Sequence, residues 1–264
     1  MSDVRVIPRA HSYSFTRLDL TRKTALVTGG GRRLGKHIAL ELAGSGFDIA
    51  FTYNSTPQNL LDDTIRQIAG HGVNVLPVKC DVRDTDSVFE AAEIVFERFG
   101  TVNVLVNNAA IFRKVDFFDI TDEIFDEFVQ VNLKSILFFS QACAVRMLDN
   151  KRKPAKIINI SSLGAFENWP GFIPYSVSKA GVVKLTQLLA KKLAPGILVN
   201  SIAPGTIMIE EDENVNVDPD DERKYPMKRF GNSKDVTSLV KYLAEENTFI
   251  TGQTICVDGG KLLN

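Results

Sequence analysis

Short apolar runs alternate along the chain with longer segments in which apolar residues recur every three or four positions. Several short runs are apolar on consecutive residues, which is typical of strands covered by helices on both faces of a parallel sheet. The pattern predicts strands at residues 24–29, 47–53, 73–80, 102–109, 156–161, 197–204 and 253–260. It predicts helices at residues 33–45, 57–71, 84–99, 121–149, 174–194 and 233–246.

This alternation predicts a single α/β domain over residues 21–264, a doubly wound Rossmann-type fold with about seven parallel strands and helices on both faces. Ligands bind such sheets at the carboxyl ends of the strands, so functional residues are expected just after strands. Residues 1–20 precede the first strand and are interpreted as an N-terminal arm. Residues 206–226 are acidic and interrupted by prolines, and we expect this long connection to form a substrate lid.

The composition is that of an ordinary globular protein, with 44% apolar residues, 24% charged residues and a net charge of -1. A near-neutral chain without a basic stripe gives no reason to expect nucleic acid or an acidic membrane as a partner. The first residues, MSDVRVIPRAHSYSF, lack the apolar centre of a signal peptide. No apolar run reaches the ~18 residues of a spanning helix, so we expect no membrane contact.

The cysteines and histidines are scattered along the sequence. An odd number of distant cysteines without a C-x-x-C spacing is typical of reduced thiols and indicates a cytoplasmic protein. The cysteines are Cys80, Cys143 and Cys256. No two histidines have metal-ligand spacing, so no metal site is predicted; they are His11, His37 and His71.

A glycine-rich stretch joins the first predicted strand to the first predicted helix, TALVTGGGRRLGKHIALEL at residues 24–42. Such a turn binds a dinucleotide because backbone amides and the helix N-terminus hold the pyrophosphate. A G-x-G-x-x-G pattern counted from Gly29, however, meets Leu34 where its last glycine belongs. Arg33 also stands where close approach to phosphate favours glycine. These residues alone leave open whether the turn is damaged or of another kind.

A second candidate site lies in PYSVSKAG at residues 174–181. Tyr175 and Lys179 are four residues apart in a predicted helix, so their side chains share one face. A nearby ammonium lowers the pKa of a phenol, which makes the pair a candidate proton donor. Ser162 ends a predicted strand thirteen residues before Tyr175, close enough to direct both hydroxyls at one carbonyl oxygen. Asn132, inside an otherwise apolar helical run, is either a satisfied core amide or the holder of a water for proton relay.

Eight ordered motifs resemble those of the short-chain dehydrogenases/reductases: TGGGRRLG, CDV (80–82), NNAA (107–110), Asn132, ISS, Tyr175-x-x-x-Lys179, NSIAPGT (200–206) and ITGQTICVDGG (250–260). The resemblance covers about residues 22–262. The turn in this family reads T-G-x-x-x-G-x-G, which Thr28, Gly29 and Gly35 match. Arg33 alone departs, and two adjacent basic residues here resemble the pteridine reductase branch. By this resemblance the turn is a variant and not a damaged one.

The resemblance implies an NAD(P)-binding domain, and two observations favour NADPH over NADH. Sites that prefer NAD place an acid about 20 residues after the glycines, whereas the second predicted strand here ends in TYNST (52–56). Arg32 stands where NADP-using members carry a basic residue. The implied cofactor contacts are Thr28, Gly29, Arg32, Arg33, Leu34, Gly35, Tyr53, Asn54, Ser55, Asp81, Val82, Asn108, Ala109, Tyr175, Lys179, Pro204, Gly205 and Thr206.

The resemblance also implies the catalytic roles. Tyr175 supplies the proton that accompanies hydride transfer, and Lys179 lowers its pKa and holds the nicotinamide ribose. Ser162 orients the substrate oxygen, and Asn132 supports the proton relay. Because this set is intact, we expect an enzyme and not a non-catalytic NADPH-binding regulator.

The substrate is less well defined by the sequence. Phe112 follows NNAA at a position similar to that of a phenylalanine facing a flat heterocycle in pteridine reductases, although a place in the core explains it equally well. With Arg33 it favours a pterin-like C=N or carbonyl substrate, contacted by Phe112, Ser162 and Tyr175. That branch often has aspartate where Ser162 stands, and serine favours ordinary ketones. The alternative is a 3-oxoacyl-(acyl-carrier-protein) reductase or a general alcohol/ketone oxidoreductase, with a candidate docking patch for the acidic carrier at Lys151, Arg152, Lys153 and Lys156.

The two longest predicted helices, 121–149 and 174–194, are apolar on more than one face. This is more apolar surface than packing on the sheet requires. Members of the resembled family usually form tetramers through such helices. We therefore expect a homotetramer or a homodimer.

Overall fold

The computed structural model describes residues 22–149, 154–209 and 219–263. The predicted arm at residues 1–20 lies outside the described residues. So do residues 210–218 of the predicted lid and three members of the basic patch: Lys151, Arg152 and Lys153.

A parallel sheet of seven strands forms the centre of the described fold. Seven of the nine described strands belong to it. The nine are β1 (Thr24–Val27), β2 (Asp48–Tyr53), β3 (Val75–Lys79), β4 (Val104–Asn107), β5 (Ala155–Ile160), β6 (Ile197–Pro204), β7 (Ile207–Met208), β8 (Gly231–Asn232) and β9 (Thr254–Val257). The sheet order is β3-β2-β1-β4-β5-β6-β9, and β7 pairs with β8 separately. The chain therefore winds outward in both directions from β1 and β4, as predicted for a doubly wound fold.

Helices cover both faces of the sheet. They are α1 (Arg33–Gly44), α2 (Gln58–Ala69), α3 (Thr85–Phe99), α4 (Asp122–Val129), α5 (Ser135–Asp149), α6 (Ile173–Leu193) and α7 (Ser233–Glu245). Ala25 and Val27 of β1 pack in the core that includes α1 and α7, whereas Leu26 between them packs in the core that includes α3 and α5. This arrangement explains why β1 is apolar on consecutive residues.

Side chains fix where two of these helices begin and end. Asp84 accepts a hydrogen bond from the amide of Asp86 at 3.0 Å and starts α3, which ends at Gly100 with φ of 72°. Asn232 and Asp235 form a reciprocal capping box at the start of α7. Caps of these kinds satisfy backbone groups that a helix leaves unpaired at its ends.

The helix predicted over 121–149 is present as Asp122–Asp149, although it is not a regular α-helix throughout. A π-helical turn at Gln130–Lys134 separates α4 from α5. Inside this turn the Asn132 side chain bonds both backbone groups of Ile111, in the loop after β4. The periodicity of apolar residues carries no information on a contact with a distant loop, so it predicted the helix but not the π-helical turn.

The segment Asp122–Asp149 is long and apolar enough, by length and composition only, to cross a membrane. The segment contains charged and polar residues and is not an uninterrupted apolar run, so the expectation of no membrane contact stays a prediction. Half of its most apolar window is buried inside the fold. Core helices of soluble proteins pass the same composition test, so the apolar side chains have an explanation in packing.

Candidate active site

The glycine turn between β1 and α1 has the backbone geometry of a phosphate-binding turn. Gly29 has φ of 64°, in the left-handed region that favours glycine. A Cβ at Gly35 would lie 2.2 Å from the carbonyl oxygen of Gly29, so glycine is needed where α1 meets the turn. Arg33 has φ of 52°, which is also in the left-handed region that favours glycine. The turn is a variant and not a damaged one, at a backbone cost of about 1–2 kcal/mol.

Thr28 ties this turn to the loop after β4. Its Oγ1 accepts hydrogen bonds from the amides of Asn108 at 2.9 Å and Ala109 at 3.0 Å. The Asn108 Nδ2 donates to the carbonyl oxygen of Thr28 at 2.9 Å. The structure thus brings these predicted residues together, and their contact with a cofactor stays a prediction.

The turn also lies against the end of β2. A Cβ at Gly31 would lie 2.8 Å from Thr56 Oγ1 and 3.3 Å from Tyr53 Cβ. Arg32, which is exposed, directly follows Gly31. Asp48 begins β2 and lies at the opposite end of the strand. The arginine is therefore close in space to a segment of hydroxyls and amides: Tyr53, Asn54, Ser55 and Thr56. Of these, Thr56 was not singled out from the sequence.

Asp81, two residues after β3, has a partner that was not singled out from the sequence. Arg83 Nε donates to both carboxylate oxygens of Asp81, at 3.0 and 3.1 Å. This guanidinium holds the pKa of Asp81 below its ordinary value, and the Asn54 side chain lowers that pKa further. Val82, the next predicted contact, is half-buried against the core. The Asp-x-Arg spacing is the sequence signal for this pair.

These residues fit a dinucleotide cofactor. At three of its positions the turn has room only for glycine, because an added Cβ would lie 3.1 Å or less from a neighbouring atom. These positions are Gly29, Gly31 and Gly35. The N-terminus of α1 adds backbone amides and a partial positive charge. Arg32 precedes the first residue of that helix. The glycine turn and α1 would hold the pyrophosphate, and Arg32 would lie toward the adenosine end.

Tyr175, Ser162 and Lys179 meet beyond the carboxyl end of β5. Ser162 follows β5, and its Oγ accepts from the amide of Gly164 at 3.1 Å. Its side chain is also close enough to the phenol of Tyr175 to lower the pKa of that phenol. The Lys179 Nζ lies 5.8 Å from the centroid of the Tyr175 ring. All three side chains are buried, and the two hydroxyls converge as the sequence predicted.

Burial is the largest influence on the pKa values of Tyr175 and Lys179. It raises the pKa of Tyr175 to about 12, and the neighbouring Ser162 side chain opposes that rise. It also lowers the pKa of Lys179 to about 8, while the Nζ donates to the carbonyl oxygen of Ile160 at 2.8 Å. Desolvation is the largest effect on the pKa of Tyr175 in this structure, and the lowering of that pKa by Lys179 stays a prediction. The phenol is protonated at neutral pH, the form that donates a proton.

Asn132 is fully buried in the π-helical turn. Its Oδ1 accepts from the amide of Ile111 at 2.9 Å. Its Nδ2 donates to the carbonyl oxygen of Ile111 and to Ser178 Oγ, both at 3.1 Å. Since both amide hydrogens are used, the side chain is a satisfied core amide that connects the loop after β4 to α6. A part for Asn132 in proton relay stays a prediction.

Comparison with known proteins agrees with this arrangement. Residues 30–261 match the family model described as Enoyl-(Acyl carrier protein) reductase. A 3-oxoacyl-[acyl-carrier-protein] reductase from Synechocystis sp. is 34% identical over 92% of this chain and 98% of its own length. The chain is a short-chain dehydrogenase/reductase. It is therefore an oxidoreductase of a family that uses NAD(P)(H).

Solved structures of other short-chain dehydrogenases/reductases share the fold. An acetoin dehydrogenase from Salmonella typhimurium superposes with a TM-score of 0.84 and 31% identity, covering 92% of this chain and 96% of that one. A 3-oxoacyl-[acyl-carrier protein] reductase from Brucella melitensis, in complex with NAD, gives a TM-score of 0.84 and 34% identity, covering 94% and 99%. These relatives carry different substrate names, so membership gives the reaction type and not the substrate.

In this short-chain dehydrogenase/reductase, aromatic rings surround Tyr175. Phe112 is 58% exposed, so the alternative that it is a core residue is wrong. Its ring stacks on Phe172 at 4.7 Å and meets the Tyr175 ring edge-on at 4.8 Å. Trp169 lies parallel to Tyr175 at 6.4 Å. Trp169 and Phe172 were not predicted, although three aromatic residues in FENWPGF (166–172) between the serine and the tyrosine are a signal for them.

Residues after β6 lie along another edge of the site. Pro204 ends β6, and a Cβ at Gly205 would lie 3.2 Å from Asp258 Cα. The Tyr225 hydroxyl donates to Thr206 Oγ1 at 2.9 Å. This bond joins the two described ends of the 206–226 segment. A lid in this segment stays a prediction.

The described thiols are all free: Cys80, Cys143 and Cys256. Burial raises the pKa of Cys143 to about 12, so this thiol is unreactive near neutrality. Within residues 22–149, 154–209 and 219–263, no group of three His, Cys, Asp or Glu side chains could hold a metal ion.

Proposed function

We propose that this short-chain dehydrogenase/reductase uses NADPH to reduce the carbonyl or C=N group of a flat, pterin-like ring compound. The observation that carries the proposal is the exposed Phe112 ring, 4.8 Å from the ring of the buried proton donor Tyr175. An exposed aromatic face beside the reacting group favours planar ligands, since stacking adds about 0.5–1.5 kcal/mol beyond burial. The neighbouring Phe172 ring enlarges that face.

The chain's own residues perform the proton transfer in this proposal. Burial keeps the Tyr175 phenol protonated, and its Oη donates that proton to the substrate oxygen or nitrogen. Ser162, which lies beside the phenol, orients the same substrate atom. Lys179, whose pKa is lowered to about 8, holds a positive charge near the phenolate that forms. NADPH, when bound, supplies the hydride.

The first test is the consumption of NADPH, followed by its absorbance, with purified protein and a panel of carbonyl compounds. The panel contains dihydrobiopterin, dihydrofolate, a naphthoquinone, an acetoacetyl thioester and simple aromatic ketones. We expect preferential turnover of the pterins. Turnover of ketones or thioesters alone would contradict the pterin proposal. It would favour an ordinary ketone substrate, as serine at position 162 indicates.

The preference for NADPH is supported by Arg32 beside the hydroxyls and amides at the end of β2. We expect Arg32→Ala to raise the Kd of NADPH by about 10–100-fold, because it removes a charge-assisted bond to the 2′-phosphate. The Kd of NADH is expected to change by less than about twofold, since NADH lacks that phosphate. Fluorescence titration with both cofactors measures the two values.

An exposed arginine elsewhere provides the control for this variant. Arg146 lies on α5 and pairs with Glu93, away from the glycine turn. Arg146→Ala should leave both Kd values unchanged. Equal weakening of NADPH and NADH binding by Arg32→Ala would refute the phosphate assignment.

A 3-oxoacyl-(acyl-carrier-protein) reductase is the second candidate, because the Synechocystis relative bears that name. Its acidic carrier would need a basic docking surface near the site. Lys156 does not belong to such a surface, because it is buried and its ammonium donates to the carbonyl oxygen of Asn247. The acetoacetyl thioester in the panel separates this candidate from the first.

The exposed apolar surface bears on the subunit number of the protein. We propose a homotetramer or a homodimer, because exposed apolar side chains lie on α5 and α6: Leu137, Val145, Leu148, Val177 and Leu188. Sedimentation analysis of the purified protein measures the subunit number. The free thiols support a cytoplasmic location.

A further inference from the structure

We propose that Trp169 determines substrate specificity: its indole forms a fixed wall of the site that favours planar rings over flexible acyl chains. This inference rests on the proposed function, because it concerns the same substrate site. It assigns the selection of planar rings to a residue outside the family motifs.

The indole belongs to a continuous aromatic surface. Its plane is parallel to the Tyr175 ring within 1°, with the centroids 6.4 Å apart. It meets the Phe172 ring edge-on, with centroids at 6.0 Å. Phe172 in turn stacks on the exposed ring of Phe112 at 4.7 Å. These side chains extend the aromatic face of Phe112 along the proton donor.

The indole is held in place from two sides. Its Nε1 donates to Glu167 Oε2 at 2.8 Å. The ring lies 2.9 Å from the position of a Cβ at Gly164, so it packs directly on the backbone that follows Ser162. Glu167 is in turn 3.7 Å from Lys261 Nζ, near the end of the described chain. A wall that is already ordered loses little conformational freedom when a ligand binds.

A fixed aromatic wall discriminates by shape. A planar unsaturated ring can stack on indole and phenyl faces, which adds about 0.5–1.5 kcal/mol to its binding. A flexible acyl chain gains no stacking and loses rotational freedom on being ordered. We therefore expect the indole to raise kcat/KM for planar substrates selectively.

Kinetics on the full chain test this selectivity. The ratio of kcat/KM for a naphthoquinone to that for an acetoacetyl thioester should fall about tenfold in Trp169→Ala and much less in Trp169→Phe, which keeps an aromatic face. Phe118→Ala is the matched control, because that ring is 90% exposed and contacts the Phe117 ring. It should leave the ratio unchanged. An equal loss for both substrates in Trp169→Ala and Trp169→Phe, or an unchanged ratio, would overturn the proposal.

A binding measurement tests the wall without turnover. Trp169 is the only tryptophan of the chain, so the indole emission of the protein reports this one position. Biopterin added to the NADP-loaded protein should quench that emission saturably, beyond the absorption correction measured with free tryptophan. An acetoacetyl thioester should not quench it. Saturable quenching without pterin turnover would refute the proposed reaction and support the role of Trp169 in binding planar rings. Pterin turnover without quenching would support the reaction and refute the role of Trp169.

Discussion

Replacing Tyr175 by phenylalanine is expected to lower kcat about 10³-fold or more while the Kd of NADPH changes by less than about twofold. The variant removes the only atom of this side chain that carries a transferable proton. The ring remains, so the contacts with Phe112 and Trp169 are preserved. Loss of the phenol hydroxyl beside Ser162 should lower the free energy of unfolding by only about 1 kcal/mol.

Turnover and cofactor binding are measured on the same preparation, with thermal unfolding as the check of the fold. Tyr242→Phe is the matched control, because this tyrosine is 40% exposed on α7. It should retain full turnover. If Tyr175→Phe also retained turnover, the proton donor would have to be another group.

Replacing Gly35 by alanine is expected to abolish cofactor binding, with the Kd of NADPH rising by about 100-fold or more. The added Cβ would lie 2.2 Å from the carbonyl oxygen of Gly29 and 2.6 Å from Asn108 Nδ2. Both are parts of the turn, so relief of the clash must move α1 away from the surface that would hold the pyrophosphate. Overpacking of this kind also lowers the free energy of unfolding by about 1–3 kcal/mol.

Another glycine of the same helix serves as the control for this variant. A Cβ at Gly44 would meet only ordinary contacts, 3.6 and 3.7 Å from the His71 ring. Gly44→Ala should bind NADPH normally and unfold at the same or a higher temperature, because alanine restricts the unfolded chain. Isothermal titration and thermal unfolding measure both variants. Normal binding by Gly35→Ala would mean that the turn does not hold the cofactor.

The sequence predicted the sheet well, because each strand is a short apolar run that packs on both faces. It also brought Tyr175, Lys179 and Ser162 together, since helical spacing and the strand end place them at one edge of the sheet. The left-handed conformation of Arg33 could not be predicted from residue type, because arginine disfavours positive φ.

Other parts of the site depend on contacts between distant segments. The acidity of Tyr175 follows from burial, which a spacing of four residues does not report. The Arg83 contact with Asp81 and the indole beside Tyr175 are side-chain orientations that no periodicity encodes. The π-helical turn at Gln130–Lys134 depends on the loop after β4, more than ten residues earlier in the chain.

The π-helical turn allows the chain to lose one residue at this place without losing the helix. Hydrogen bonds in a π-helical turn span five residues instead of four, so the turn holds one residue more than an α-helical turn. Loss of one residue between Gln130 and Lys134 would restore a regular helix and leave Phe128 and Phe139 facing their present neighbours. The position of Asn132 would be lost. The turn is thus equivalent to the insertion of a single codon. The insertion adds the position of Asn132 and leaves the buried faces of α4 and α5 unchanged.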